Sequence, residues 1–360
     1  MKAVILVGGE GTRLRPLTLH TPKPLLPIAN IPFIERQIKS LVKHGIDDVV
    51  LSLGYLPDAF ESYFHANPIE GVHIGYAVEN EPLGTAGAIK FAAGDCAEKF
   101  VVCNGDVLTD MDISSLVSFH ESRNSMATIA LTYVEDPSAF GVVPTHEDGE
   151  VIAFVEKPPL ESAPSHWINA GIYVLTPEFL ELIPSDINVS IERETFPLVL
   201  EKGAMYAMES EAYWLDIGTP SQYLRAHSDY LDNRERFGKE DNLREVSPNI
   251  FSDGDVELGE GTIAISPCLI GSGSVVGRNC ELGSATIGRR CIIEDSVKMT
   301  NSVVMSGTKI GEFSTLDSTV VGEASDISDH ADLGEFTLIA AHEKIAPNAS
   351  LRGERVGSVV

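Results

Sequence analysis

From about residue 250 the chain falls into a six-residue beat that few folds accommodate. An aliphatic residue followed by glycine recurs at Ile270-Gly271, Val276-Gly277, Leu282-Gly283, Ile287-Gly288, Ile310-Gly311 and Val321-Gly322. Aliphatic positions 270, 276, 282, 287 and 293 lie five or six residues apart, and the beat resumes at Val304, Ile310, Leu316, Val321 and Ile327. A sustained period of this length signals a repeat architecture. Six residues per side of a triangular coil predict a parallel β-helix over residues 250–360, each coil covering its neighbour's hydrophobic face. The scattered strands of a β-sandwich would not hold such a register. The period leaves the hand of the helix open.

The first 235 residues read differently. Short apolar runs at Ala3–Val7, Asp48–Leu53, Val72–Ala77, Phe100–Cys103 and Ala127–Val134 predict strands. Amphipathic segments at Phe33–His44, Asp58–His65, Thr85–Ala93 and Ile113–Glu121 predict helices between them. That alternation predicts an α/β domain over 1–235 with a Rossmann-like mixed, mostly parallel sheet, its ligands at the carboxyl ends of the strands. Beyond Asp136 the pattern loosens. Gly141–Pro144, Val151–Lys157 and Ala170–Leu175 read as short β-like pieces of an inserted lid or sugar-facing subdomain of the same unit, Tyr223–Asn233 as a closing helix, and residues 236–249 as a linker.

Charge narrows the partners. With 26 basic against 53 acidic residues the net charge is -27, which argues against non-specific binding of nucleic acid or an anionic membrane. No apolar run is long enough to span a bilayer. The five cysteines show no CxxC spacing, so neither a disulfide framework nor a zinc site is expected. The opening residues run into a strand without a charged leader. A cytoplasmic protein is the expectation.

Against that acidity, the stretch Leu6-Val7-Gly8-Gly9-Glu10-Gly11-Thr12-Arg13-Leu14-Arg15, with Lys23 shortly after, gathers three cations on a glycine-rich turn behind a strand. Backbone N–H groups on such a turn converge on an anion. It lacks the Lys-Ser/Thr of a Walker P-loop and puts Leu14 where a dinucleotide fingerprint needs its third glycine. A phosphate cradle of another class remains, or a glycine turn with surface arginines. Asp106, at a strand end in Asn104-Gly105-Asp106, and Asp216, set among apolar residues in Trp214–Gly218, are candidate Mg²⁺ ligands, since Mg²⁺ takes one or two carboxylates and completes its shell from phosphates. Asp106 is equally a turn residue. Glu156-Lys157 after a strand offers a hydroxyl acceptor and a phosphate-holding ammonium; by itself the pair reads more readily as a surface ion pair. Asn169, Gly171 and Gly141 add an amide and close-approach glycines nearby in sequence. The turn Glu81–Gly87 reads either as a base-gripping loop through Gly84 and Thr85 or as a helix start capped by Thr85. No histidine pair has metal spacing.

Taken together these motifs resemble the sugar-1-phosphate nucleotidyltransferases. GGEGTRLRPLT with PKP is that family's opening signature, and EPLGTAGAI, NGDVL, FGVV, FVEKP, NAGIY, SIERETFP and YWLDIG follow in its order, over nearly the whole chain. The chain is most similar to the mannose-1-phosphate guanylyltransferase (GDP-mannose pyrophosphorylase) branch. The resemblance implies a left-handed β-helix and Mg²⁺-dependent transfer of a nucleotidyl group, with GTP and mannose 1-phosphate as substrates and GDP-mannose and pyrophosphate as products. It places Leu6, Gly8, Gly9, Gly11, Thr12, Arg13, Lys23, Gly84, Thr85 and Asp106 at the nucleotide. Gly141, Glu156, Lys157, Asn169, Gly171 and Asp216 fall at the sugar phosphate, and Asp106 and Asp216 at the metal. Arg13, Lys23, Lys157 and Asp106 carry the catalytic roles. Glucose 1-phosphate with UTP, dTTP or ATP stays open, as does a non-catalytic regulatory subunit binding a nucleotide sugar. An acyltransferase-like coil would rest on a coil histidine such as His330, at the far end of the repeat. Self-association through the coil's exposed edges is expected. The tail Glu354–Val360 departs from the ending associated with eukaryotic mannose enzymes.

Overall fold

The computed structural model describes residues 1–237 and 243–357, so part of the expected linker and the last three residues lie outside the described residues. The chain forms two compact units: Met1–Gly9 with Ile34–Leu215, and Glu10–Phe33 with Asp216–Val360. The glycine-rich turn is thus divided. Its first two glycines belong to the sheet unit and the remainder to the unit containing the coil.

The first unit is built on a nine-stranded sheet. Lys2–Leu6 lies parallel to both Asp48–Leu53 and Phe100–Asn104, and Asp48–Leu53 parallel to His73–Val78. Lys2–Leu6, Asp48–Leu53 and Phe100–Asn104 are mostly buried, as their apolar runs require, whereas His73–Val78, at the edge of the sheet, has no fully buried residue. Helix Phe33–Lys43 carries a Glu35–Lys39 pair at 2.6 Å one turn apart. Helix Ile113–Arg123 starts where Asp112 accepts from the Ser115 amide and ends at left-handed Asn124, as capping predicts. The segment after Asp136 stays within this unit. Trp167–Leu175 is a nine-residue strand antiparallel to Phe100–Asn104 and to Ala127–Tyr133. Gly141–Val142 and Val155–Glu156 extend the same sheet past its edge. Burial of nearly every residue from Ile168 to Leu175 removes the alternation that marks a strand in sequence, where only Ala170–Leu175 reads as β-like. The core gathers Val102, Ile129, Leu131, Tyr173 and Phe196, with Tyr173 and Phe196 meeting edge to face at 5.5 Å.

In the second unit, three parallel sheets form the coil. One runs Cys268–Ile270, Thr286–Ile287, Val303–Val304, Val320–Val321, Leu338–Ile339, Arg355–Val356; its neighbours run from Glu257–Leu258 to Lys344–Ile345 and from Ile263–Ala264 to Ser350–Arg352. The register stacks Ile270 on Ile287, Val304, Val321 and Ile339, all fully buried. The glycine after each aliphatic residue has a steric cause: a Cβ at Gly288 or Gly322 would come within 2.3–2.5 Å of backbone nitrogen in the next coil. Within the expected linker span, Arg244–Ser247 forms a strand antiparallel to Ile250–Ser252 at the coil's open end.

Candidate active site

In the sheet unit Leu6 and Asn104 end parallel strands, whereas Gly141 starts an antiparallel strand and Asn169 and Gly171 lie within another. Leu6 ends its strand with its carbonyl accepting from Gly105 N at 2.9 Å. Gly8 faces Gly54, whose nitrogen would lie 3.4 Å from a Cβ, with Glu79 Oε1 just beyond at 3.9 Å. Glu79 takes Ser52 Oγ at 3.1 Å and the Leu83 amide at 2.9 Å. It thereby pins the turn that carries Gly84 and Thr85. Thr85 is not the helix cap: the helix runs Gly84–Ala93 from Leu83. The Thr85 hydroxyl donates to Glu192 Oε2 at 3.0 Å and accepts from the Ile191 amide at 2.8 Å. Glu192 and Ile191 belong to a π-helical turn, Ile191–Thr195, a form that often marks functional sites. A Cβ at Gly84 (φ 69°) would meet Val189 O at 2.5 Å.

Asn104, Gly105 and Asp106 follow the central strand. Gly171 (φ 73°) packs so close to Asn104 that a Cβ would lie 2.5 Å from its Nδ2, and Gln37 Nε2 donates to Asn104 O at 2.9 Å. Asn169 is braced at both ends. Its Oδ1 accepts from Gly171 N at 2.8 Å and its Nδ2 donates to the Tyr173 hydroxyl at 2.8 Å. Burial pushes that hydroxyl's pKa up, reinforced by the negative charge of Glu192, so Tyr173 stays neutral and holds the amide. Gly141 pairs with Glu156, and a Cβ there would meet Phe154 at 2.5 Å and Glu156 Oε2 at 3.2 Å. Lys157 stands on a left-handed residue (φ 49°) whose amide donates to Phe140 O at 2.9 Å. Its ammonium is 3.4 Å from Glu156 Oε1 and its side chain is 60% exposed, leaving it within reach of an incoming anion. Trp214 Nε1 donates to Ala170 O, and the Trp214 ring meets Phe140 edge-on.

The coil-containing unit holds the rest. Gly11 (φ 61°) opens the 3₁₀ turn Thr12–Leu14, and Thr18 Oγ1 donates to its carbonyl at 2.9 Å. A Cβ at Gly11 would strike Lys23 Cβ at 2.9 Å, and one at Gly218 would lie 2.6 Å from Arg13 Nη2. Arg13 and Lys23 therefore flank the turn, with Arg13 over Gly218, two residues after Asp216. Arg15 turns elsewhere, pairing with Glu10 at 2.6 Å. Asp106 and Asp216 fall in different units. Both offer hard carboxylate oxygens, the donor type Mg²⁺ prefers. Among the described residues no three His, Cys, Asp or Glu gather as a metal cage.

Glu79, Glu192 and Gln37, which fasten the site's loops, were not singled out in the sequence. Glu79 carries only a strand-end position there. Glu192 lies within SIERETFP, a motif that marks the family without indicating which side chain faces Thr85. His342, like His330, occupies a left-handed coil corner. His330 stacks flat on Phe313 at 5.2 Å. All five cysteines are free thiols. Burial pushes Cys103 up to about 12 and Cys268 and Cys291 up to about 11, so they are unreactive near neutral pH.

A model of the family described as "Nucleotidyl transferase" matches residues 2–233, and one described as "EIF2B subunit epsilon LbH domain" matches residues 247–351. The coil is accordingly a left-handed β-helix. A mannose-1-phosphate guanylyltransferase of Mycobacterium tuberculosis is 40% identical over 303 residues, covering 82% of this chain and 80% of that one. The mannose-1-phosphate guanylyltransferase catalytic subunit beta of Danio rerio is 35% identical over 362 residues, 99% of this chain and 95% of that one. The crystal structure of HddC from Yersinia pseudotuberculosis complexed with GMP-PN matches with a TM-score of 0.54 at 33% identity, covering 64% of this chain and 99% of that one. A cationic glycine turn, strand-end carboxylates and a matched family model agree: the chain belongs to the nucleotidyl transferase family.

Proposed function

We propose that the protein transfers guanylyl from GTP to mannose 1-phosphate, releasing pyrophosphate and forming GDP-mannose. Its division of labour follows the two sets of side chains. Arg13 and Lys23, fixed by the close approach of Gly218 and Gly11, hold the β- and γ-phosphates and neutralise the charge that develops on departing pyrophosphate. Leu6, Gly8, Gly9, Gly11 and Thr12 wrap the nucleotide by backbone contacts, and Gly84 and Thr85 border the base. Lys157 holds the sugar phosphate, with Gly141, Glu156, Asn169 and Gly171 along the sugar. A phosphate oxygen of mannose 1-phosphate attacks the α-phosphorus in line; the bond to the β-phosphate bridging oxygen breaks as the new one forms. No covalent enzyme intermediate is needed, so rate comes from positioning and charge. Asp106 and Asp216 would hold Mg²⁺, which supplies charge neutralisation on the phosphates when bound.

The observation that carries this reading is the exposed Lys157 on a strained backbone beside Glu156 and Gly141, an ammonium and a carboxylate suited to a phosphate and a sugar hydroxyl. The similarity to mannose-1-phosphate guanylyltransferases over most of both chains supports the choice of base and sugar. Residues 1–235 form the catalytic domain in this reading and 250–360 the coil domain. Exposed Ile263, Ile265, Val275 and Ile292 support self-association through the coil. The free cysteines support a reducing cytoplasm. Pyrophosphate release measured over four NTPs and three sugar 1-phosphates tests the assignment. The highest kcat/KM is expected for GTP with mannose 1-phosphate. A preference for glucose 1-phosphate with UTP, dTTP or ATP would overturn the substrate choice, and no turnover with any pair would favour a regulatory subunit.

A further inference from the structure

Between Lys23 and the following helix the chain makes a tight hairpin. Pro27 pairs with Pro32 and Ile28 with Ile31, leaving Ala29 (φ 48°) and Asn30 (φ 65°) as a two-residue turn with both residues left-handed. Such a turn prefers Asn or Gly at both positions, and alanine in the first costs about 1 kcal/mol. The tip is held from outside. Asn30 Nδ2 donates to the Ile287 carbonyl of the coil at 3.0 Å. The Ala29 amide lies 3.4 Å from His227 Nδ1, which is also 3.0 Å from Thr286 Oγ1 on the coil. His227 Nε2 is 3.1 Å from Pro27 O. A carbonyl only accepts, so Nε2 carries the proton and Nδ1 accepts from the Ala29 amide and the Thr286 hydroxyl. His227 and Thr286 are each 1% exposed.

One imidazole thus ties together three segments of the same unit: the hairpin, helix Pro220–Asp232 and the coil strand Thr286–Ile287. Tyr223, one turn earlier on that helix, donates its hydroxyl to the same Pro27 carbonyl at 2.5 Å and meets the imidazole edge-on at 4.9 Å. The hairpin is continuous with the turn bearing Lys23: Leu26 N donates to Lys23 O and Phe33 N to Leu26 O, both at 3.1 Å. Leu14, Leu26, Ile28, Phe33, Ile217 and Tyr223 converge on one small apolar space beneath Lys23. Farther along, Arg355 donates to the Arg15 carbonyl. The backbone from Lys23 to Pro32 therefore moves with the coil.

We infer that His227 is a positioning residue for the pyrophosphate side of the reaction, setting Lys23 by fastening the 27–32 hairpin to the coil at Thr286 and Ile287. The coil then forms part of the catalytic apparatus as well as being a candidate assembly surface. His227 touches no substrate; it acts through the backbone of the loop. The inference rests on the assignment of Lys23 to the leaving phosphates, and the experiment separates the two.

The full-length protein is compared with His227→Leu, His227→Asn, Thr286→Val and Lys23→Met. Forward and reverse kinetics are measured, together with amide hydrogen exchange of residues 23–32 and thermal unfolding. Leucine removes both ring nitrogens and with them the imidazole's bonds to the Ala29 amide, the Thr286 hydroxyl and the Pro27 carbonyl. Its KM for GTP and for pyrophosphate is expected to rise about tenfold, with KM for the sugar 1-phosphate unchanged and residues 23–32 exchanging faster while the coil stays protected. Asparagine places Oδ1 where Nδ1 stood, and Tyr223 still serves Pro27; its KM values are expected within about threefold of wild type. Thr286→Val, which removes one hydroxyl, is expected to show a smaller shift in the same two constants and stands in if the leucine variant does not fold. Wild-type constants and exchange in His227→Leu or Thr286→Val overturn the inference. So does an asparagine variant as impaired as leucine, or a rise in KM for the sugar phosphate equal to that for GTP. If Lys23→Met keeps wild-type pyrophosphate kinetics, the assignment of Lys23 fails, while the exchange rates of the His227 variants still report whether that residue orders the loop.

Discussion

At Gly171 the backbone is left-handed, and Asn104 Nδ2 lies 2.5 Å from where a Cβ would sit. Gly171→Ala must therefore displace Asn104, two residues before Asp106, while paying about 1–2 kcal/mol in backbone strain. The expected outcome is a kcat/KM lowered about 100-fold with Tm lowered by only about 2–8 °C, read by pyrophosphate release and calorimetry. His120 makes a second, independent prediction. It is 3% exposed and bonded to Thr128 Oγ1 at 2.8 Å, and burial, with Lys99 nearby, lowers its pKa from 6.5 to about 4. The unfolded chain therefore binds a proton that the folded chain refuses between those values. This contribution to stability is fully present above pH 6.5 and declines as pH falls toward 4, by roughly 1.4 kcal/mol per pH unit. Urea unfolding at pH 7 and pH 5 should show that loss, and His120→Leu should shrink it by about 2 kcal/mol. Neither constraint is visible in the residues alone. Gly171 reads as a close-approach glycine without its partner, and His120 sits unremarked on a predicted helix, because the groups that squeeze them, Asn104 and Thr128, arrive through the sheet.

At the scale of elements, the turn Glu81–Gly87 and the π-helical turn Ile191–Thr195 behave as one piece. Thr85→Val would leave the Ile191 amide without its 2.8 Å acceptor and take a donor from Glu192. A destabilisation of about 1–3 kcal/mol is expected by urea unfolding, with faster hydrogen exchange at residues 187–195. The coil responds differently. Ile310, fully buried between Ile293 and Ile327, should cost about 2–5 kcal/mol when changed to alanine. Each coil touches only its neighbours, so the loss of exchange protection should centre on residues 292–328 and leave the sheet unit unchanged. The contrast explains what was legible beforehand. The coil's register could be read directly because every inward aliphatic faces its own equivalent one coil away. Strands such as Asp48–Leu53 could be read from their apolar runs. The strand Trp167–Leu175 could be read only as a shorter β-like piece from Ala170, because burial on both faces erased its alternation, and the Thr85 hydroxyl's partner lies about a hundred residues downstream.

For the whole molecule, the division of the chain matters more than its order. Residues 10–33 group with the coil although they lie far from it in sequence, and no local composition signals it. A chain ending at Phe237 should keep the sheet but lose Thr286, Ile287 and Arg355 as anchors for the Lys23 loop. Its turnover is expected to fall about 100-fold or more, with circular dichroism retaining the α/β signature; turnover equal to that of the full chain would show that the loop holds its place unaided. The interleaving also sets an order of events during synthesis. The cationic loop leaves the ribosome well before its anchors at Thr286 and Ile287, which follow about 250 residues later. At roughly 5–20 residues per second, the loop waits on the order of 10–50 s before it can seat. A nascent chain stalled between the last strand of the sheet, Met205–Ser210, and the coil therefore carries all of the sheet's strands and an unseated cationic loop.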